Sequence, residues 1–87
     1  KSDNVSIEES YYAQEKELII RLAVGQMPEQ RRRIFEMRRY MGLDNQTIAT
    51  TLNLSKKTVE NHLTLALKTL RSILAVWAAL WIVGGGF

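Results

Sequence analysis

At 87 residues, with 46% apolar and 24% charged side chains, the chain holds one small domain, because a sequence this short supports a single core and buries only about 60–65% of its unfolded surface. Without cysteine it can build neither a disulfide framework nor a thiolate metal site, and one histidine, His62, falls short of a zinc finger, so stability rests on apolar packing within the chain or against a partner. The net charge of +3 conceals a division: residues 1–30 carry three basic against six acidic groups, net −3, and residues 31–87 carry nine against three, net +6. A basic field confined to one part fits a nucleic-acid surface, and it fits a solvated basic helix equally.

The chain opens on Lys1 rather than methionine, which reads as a fragment or processed product, and residues 1–8 (KSDNVSIE) are polar enough for the end of a flexible linker. No period-two run of β-branched residues occurs anywhere, so the expectation is an all-α fold of four helices. The first helix is predicted from about Glu9 to Gln26, burying Tyr12, Ile19, Leu22, Ala23 and Val24. The second begins at Pro28, whose missing N–H has no partner in a first turn, and runs to Tyr40 or Met41. Ile34, Met37 and Met41 line its inner face, with Arg31, Arg32, Arg38 and Arg39 off it, and Gly42 closes it. Asp44 or Asn45 caps a short third helix that turns Ile48, Ala49 and Leu52 inward.

Asn53 accepts a left-handed conformation, so Leu52-Asn53-Leu54-Ser55 reads as a tight turn, with Ser55 capping the fourth helix. That helix is long. Its apolar residues step by four and three through Val59, Leu63, Ala66, Leu70, Ile73, Trp77 and Leu80, ending at Gly84-Gly85-Gly86. The apolar run Ile73 to Val83 has 11 residues, about 16 Å as a helix, which is half a hydrocarbon core and predicts no membrane span.

Residues 45–63 (NQTIATTLNLSKKTVENHL) have the pattern of a helix-turn-helix. A small residue, Ala49, sits where two helices cross; Asn53 reverses the chain; Val59 and Leu63 anchor the second helix so that its N-terminal, outward residues can enter a major groove. An ordinary helical hairpin obeys the same packing rules. The outward set of Lys56, Lys57, Thr58, Glu60, Asn61 and Thr64 favours DNA, because these side chains offer donors and acceptors to base edges near a helix N-terminus, where phosphate is also favoured.

Helix two with its proline start (MPEQRRRIFEMRRYMGL), followed by DNQTIATTLNLSKKTVENHLTLALKTLR, resembles the C-terminal promoter-binding domain of extracytoplasmic-function sigma factors of bacterial RNA polymerase, over about residues 9–72. The resemblance implies that the recognition helix reads the −35 promoter element and that the first two helices face the flap of the polymerase β subunit. It implies base reading by Lys56, Lys57, Thr58, Glu60, Asn61 and Thr64, and phosphate contacts from Arg38, Arg39, Asn45, Gln46 and Thr47. It also implies a cytoplasmic transcription component, duplex promoter DNA and polymerase core as partners, and room for an anti-sigma factor. The sequence departs from the family at Asn53, where glycine is usual, and in the apolar tail, residues 73–87, which continues past the usual end of the recognition helix.

KKTVENHL also resembles the recognition helix of LuxR-like response-regulator output domains, a rival that the proline-started basic helix two disfavours. A rival of another class makes the tail the functional element of an oligomerising or membrane-surface domain, and because the tail lacks the charged face of an interfacial helix, helix–helix packing is favoured over the membrane surface. An enzyme is not expected: His62 has no second histidine or cysteine to pair with, no glycine-rich phosphate loop exists, and no cofactor or metal is implied. Met27, Met37 and Met41 read as core filling, and Tyr11 and Tyr12 as packing residues. Ile73, Leu74, Trp77, Leu80 and Trp81 project beyond the predicted core with nothing left in the chain to cover them, which predicts a homo-oligomer through Trp77 and Trp81, the competing arrangement being a tail folded back onto helix one.

Overall fold

The computed structural model describes residues 7–84, with side chains from residue 11 onward. The linker end assigned to residues 1–8 therefore lies outside the described residues except for Ile7 and Glu8, which open the first helix, and Gly85 to Phe87 also lie outside. Four helices follow in order: α1 (Ile7–Gly25), α2 (Glu29–Arg39), α3 (Asn45–Leu52) and α4 (Lys56–Val83). The fold is all-α, with no strand among the described residues.

Turn chemistry sets the boundaries. Pro28 stands one position before its expected place, at the cap of α2 with ψ 147°, and its carbonyl accepts the first helical bond from Arg32 N–H at 2.9 Å. The ring removes a donor that would be orphaned there in any case. Past Arg39 the chain turns at Gly42, φ 71°, where Leu43 N–H returns to the Met37 carbonyl at 3.1 Å. Asp44 is the cap of α3, its carboxylate accepting from Thr47 N–H at 2.8 Å. Asn53 takes φ 57° and ψ 47°, and Leu54 N–H donates to the Ala49 carbonyl at 2.8 Å across it, the six-to-one bond of a Schellman closure. Ser55 caps α4 by accepting from Thr58 N–H at 3.0 Å.

Two apolar clusters meet along α4. One holds Ile34, Ile48, Ala49 and Val59 and locks the α3–α4 pair to α2; the other holds Ile20, Val24, Phe35, Ala66 and Leu70 and locks α1 and α2 to the middle of α4. Leu63 packs against both. Several expected core residues belong elsewhere. Leu22 and Met41 are exposed, Met41 because the helix has already ended, while Ile20 and Phe35 are buried in their stead. Tyr12, expected in the core, is exposed as well because it packs at the edge against the end of α4, and Tyr11 is exposed too.

The tail corrects a larger expectation. A straight α-helix drifts about 20° per heptad from a 3.5-residue seam, so the buried line past Leu70 runs through Leu74, Trp77 and Trp81 rather than through Ile73 and Leu80. α1 lies along this line and covers it without any break in α4. Tyr12 sits 4.7 Å from the Trp77 ring and 5.6 Å from that of Trp81, and Glu15 Oε1 accepts the indole N–H of Trp77, at 3.1 Å, and of Trp81. Trp77 is buried and Trp81 half-buried, so they are no longer the bare surface through which copies were expected to pair.

The exclusion of a membrane span on length also needs correction. The 11-residue run is the end of a 28-residue helix, and an 18-residue stretch of that helix has a mean hydropathy of 1.6 with only 11% of it buried, so length and composition alone admit a span.

Candidate nucleic-acid interface

The helix-turn-helix is α3, the Asn53 turn and the first two turns of α4. Ile48 and Val59 are fully enclosed and Ala49 is nearly so, and this dry contact fixes the angle at which α4 leaves the domain. With Val59, Leu63 and Ala66 directed inward, the 3.6-residue period puts Lys57, Asn61, Thr64 and Lys68 in one row on the opposite side, stepping by four, three and four. All four are exposed. Lys57 supplies a mobile cation, Asn61 a paired donor and acceptor in one plane, Thr64 a hydroxyl, and Lys68 a second cation about 10 Å along the helix from Asn61. Lys68 was absent from the sequence-based set, although its place four residues after Thr64 announces it.

The other expected base readers flank this row. Lys56 is exposed on one side and Glu60 half-buried behind it. Thr58 is half-buried on the other side, where its hydroxyl accepts a 2.8 Å hydrogen bond from Ser55 and so belongs to the cap. His62 packs on that flank, its Nδ1 accepting from Arg31 Nε at 3.4 Å, which ties α2 to α4.

Around the start of α3 the proposed phosphate contacts divide. Gln46 and Thr47 are exposed, with Gln46 Nε2 3.4 Å from the Thr50 hydroxyl. Asn45 is half-buried, and its Oδ1 is enclosed without a hydrogen-bond partner. Arg38 is exposed and steadies the α2–α3 loop through a 3.3 Å bond to the Leu43 carbonyl. The Asp44 carboxyl beside them is held below its ordinary value, mainly by the Thr47 backbone N–H and hydroxyl and also by the charges of Arg38 and Lys56. Arg39 points the other way. It is bound at 2.9 Å to Glu17 on α1, which also accepts from the Tyr40 hydroxyl at 3.0 Å and pairs with Arg21 at 3.4 Å. The Arg39 bond holds the Glu17 carboxyl below the usual range and raises the guanidinium in turn.

Among the described residues no group of histidine and carboxylate side chains could hold a metal ion. What the site presents is a polar, basic helix face on a rigid support. No curated protein matches the sequence. The sequence does match the family model described as Sigma-70, region 4, over residues 17–70, more than half of the chain, from the middle of α1 to Leu70 and stopping short of the apolar end of α4. The chain, with its helix-turn-helix carried on α3 and α4, belongs to the sigma-70 region 4 family.

Proposed function

We propose that this chain recognises the −35 promoter element as the C-terminal domain of an extracytoplasmic-function sigma factor, directing RNA polymerase in the bacterial cytoplasm. The observation that carries the reading is the exposed row Lys57, Asn61, Thr64 and Lys68 on a helix whose opposite side is locked by Val59, Ile48 and Ala49. Within that row Lys57, Asn61 and Thr64 enter the major groove, with Lys56, Thr58 and Glu60 at its edges, and Lys68 reaches the backbone. Arg38, Gln46 and Thr47 take phosphates, Asn45 lends its backbone N–H at the start of α3, and Arg39 is left out because Glu17 holds it.

Membership of the region 4 family supports polymerase core as the second partner and disfavours a LuxR-like output domain. On this chain the groove between α1, α2 and α4 suits the β flap: Ile20, Phe35, Leu67 and Leu74 form an apolar floor, and Lys16 and Arg71 a basic rim. An anti-sigma factor would act by occupying the same groove. The extracytoplasmic-function subtype rests on the run from Met27 to Arg71.

Selection of duplexes from random sequence should recover one short, consistent motif, and tagged protein should retain polymerase core from a bacterial extract. Recovery of unrelated duplexes would remove the promoter reading. A consistent motif with no retention of core would remove the polymerase flap as a partner of this domain.

A further inference from the structure

Past Arg71 no charged residue remains in α4, and the helix carries two apolar lines. Leu74, Trp77 and Trp81 meet α1. The second line, Ile73, Val76, Leu80 and Val83, steps by three, four and three along a different side and is left largely open by the described residues, with exposures of 36, 62, 65 and 85%. Ile19 of α1 borders it, and with Ile73, Val76, Trp77 and Leu80 it lines a shallow hollow whose only polar member is Ser72.

We propose that this outer line is a self-association surface, on which two copies of the chain pair as α1–α4 layers through Ile73, Val76, Leu80 and Val83, with Ile19 at the edge. Three observations favour a second copy. The spacing is that of a helix–helix seam, and it puts aliphatic side chains at four successive seam positions. Charge does not oppose the contact: the DNA-facing row repels its own image, whereas this face carries no charge. The size suits a weak pair. The apolar patch is on the order of 400 Å², about half of what one partner contributes to a standard interface, so the dimer is expected to be weak.

A lipid surface is the other apolar partner to weigh, and α1 argues against it. Burying the end of α4 in hydrocarbon takes with it the Glu15 carboxylate bonded to both indoles, together with Gln14 beside it. Docking through the outer line leaves that carboxylate in water, because Tyr11, Gln14, Glu15 and Trp81 line a separate hollow on the other flank of α1, but past Arg71 the helix offers no basic side chain to hold an anionic headgroup there.

Sedimentation equilibrium of the 87-residue chain at tens to hundreds of micromolar tests the proposal, run beside a Val76→Glu, Leu80→Glu variant and an Ile82→Glu control on a different side of the helix. The parent and the control should show a monomer–dimer equilibrium. The double variant should dissociate about tenfold more readily or beyond, with unchanged helical circular dichroism, since both positions are exposed in the monomer. A parent that stays monomeric throughout overturns the proposal, as does a double variant that pairs as well as the parent. A monomeric parent that binds anionic phospholipid vesicles overturns it in favour of the lipid surface.

Discussion

Asn53 does at one position what glycine usually does there. Its φ of 57° lies where a Cβ is penalised, and asparagine bears the penalty better than other non-glycine residues. Asn53→Ala should therefore lower stability by about 1 kcal/mol in thermal denaturation while Asn53→Gly leaves it level or raises it, and equal losses from both would place the effect elsewhere. Asn61 and Lys68 share one face and carry different information. Asn61→Ala should cost about 1–3 kcal/mol at a single base step and relax the sequence preference there, whereas Lys68→Ala should weaken binding to all duplexes alike; titration against a panel of single-base variants separates the two. Glu17 links pH to stability. Its carboxyl is held down in the folded chain, chiefly by the Arg39 bond, so the pair stabilises above the unfolded carboxyl's pKa and the benefit is lost as pH falls through the lower folded value. The side chain is about a third exposed, which keeps the effect below about 1 kcal/mol. Melting curves taken from neutral pH to pH 3 should fall more steeply for the parent than for Glu17→Gln.

At the scale of elements, α4 organises the molecule, serving the turn with its first two turns, the core with its middle and α1 with its last third. The Glu15 carboxylate, gripping two indoles one turn apart, is the polar bond that holds α1 to that last third. Glu15→Ala should cost about 1 kcal/mol, since the bonds are charge-assisted but lie near water, and it should loosen the α1–α4 contact before the rest. Faster amide exchange in α1, with α3 unchanged, would show this; uniform acceleration would contradict it. The helices and the turn were legible in the sequence because caps and breakers are local: Pro28, Asp44, Asn53 and Ser55 each act within a few residues. The α1–α4 contact was not, because it joins residues 62 and 66 apart and depends on the drift of a straight helix, which moved the buried line from Ile73 and Leu80 to Leu74 and Trp81. The commitment of Arg39 to Glu17 was hidden for the same reason. In a list of basic residues it counts as one more phosphate ligand, and only the folded chain shows its partner.

Taken whole, the molecule separates its two kinds of surface along α4, a basic polar one at the start and an uncharged apolar one at the end. This separation bears on how strongly DNA binding answers to salt. The nine basic groups of residues 31–87 overstate the field that a duplex meets, because Arg39 is neutralised by Glu17 and Arg31 is turned toward His62. Of the other seven, Lys56, Lys57, Lys68 and Arg38 stand beside the recognition face, with Asp44 opposing them. Neutralising about four phosphates releases their counterions and gives a slope of log affinity against log salt of about −3 to −4. Fluorescence anisotropy on a duplex carrying the selected motif, repeated from low to moderate ionic strength, measures that slope directly. Lys68→Ala should flatten it by about one, and Arg39→Ala should leave it where it was. A slope near zero would mean that α4 does not enter the groove with its cations on the flanking phosphates as proposed. A flattening by Arg39→Ala equal to that of Lys68→Ala would mean that the duplex draws Arg39 away from Glu17, which would extend the phosphate contacts from the start of α3 round to the α1 side of the domain.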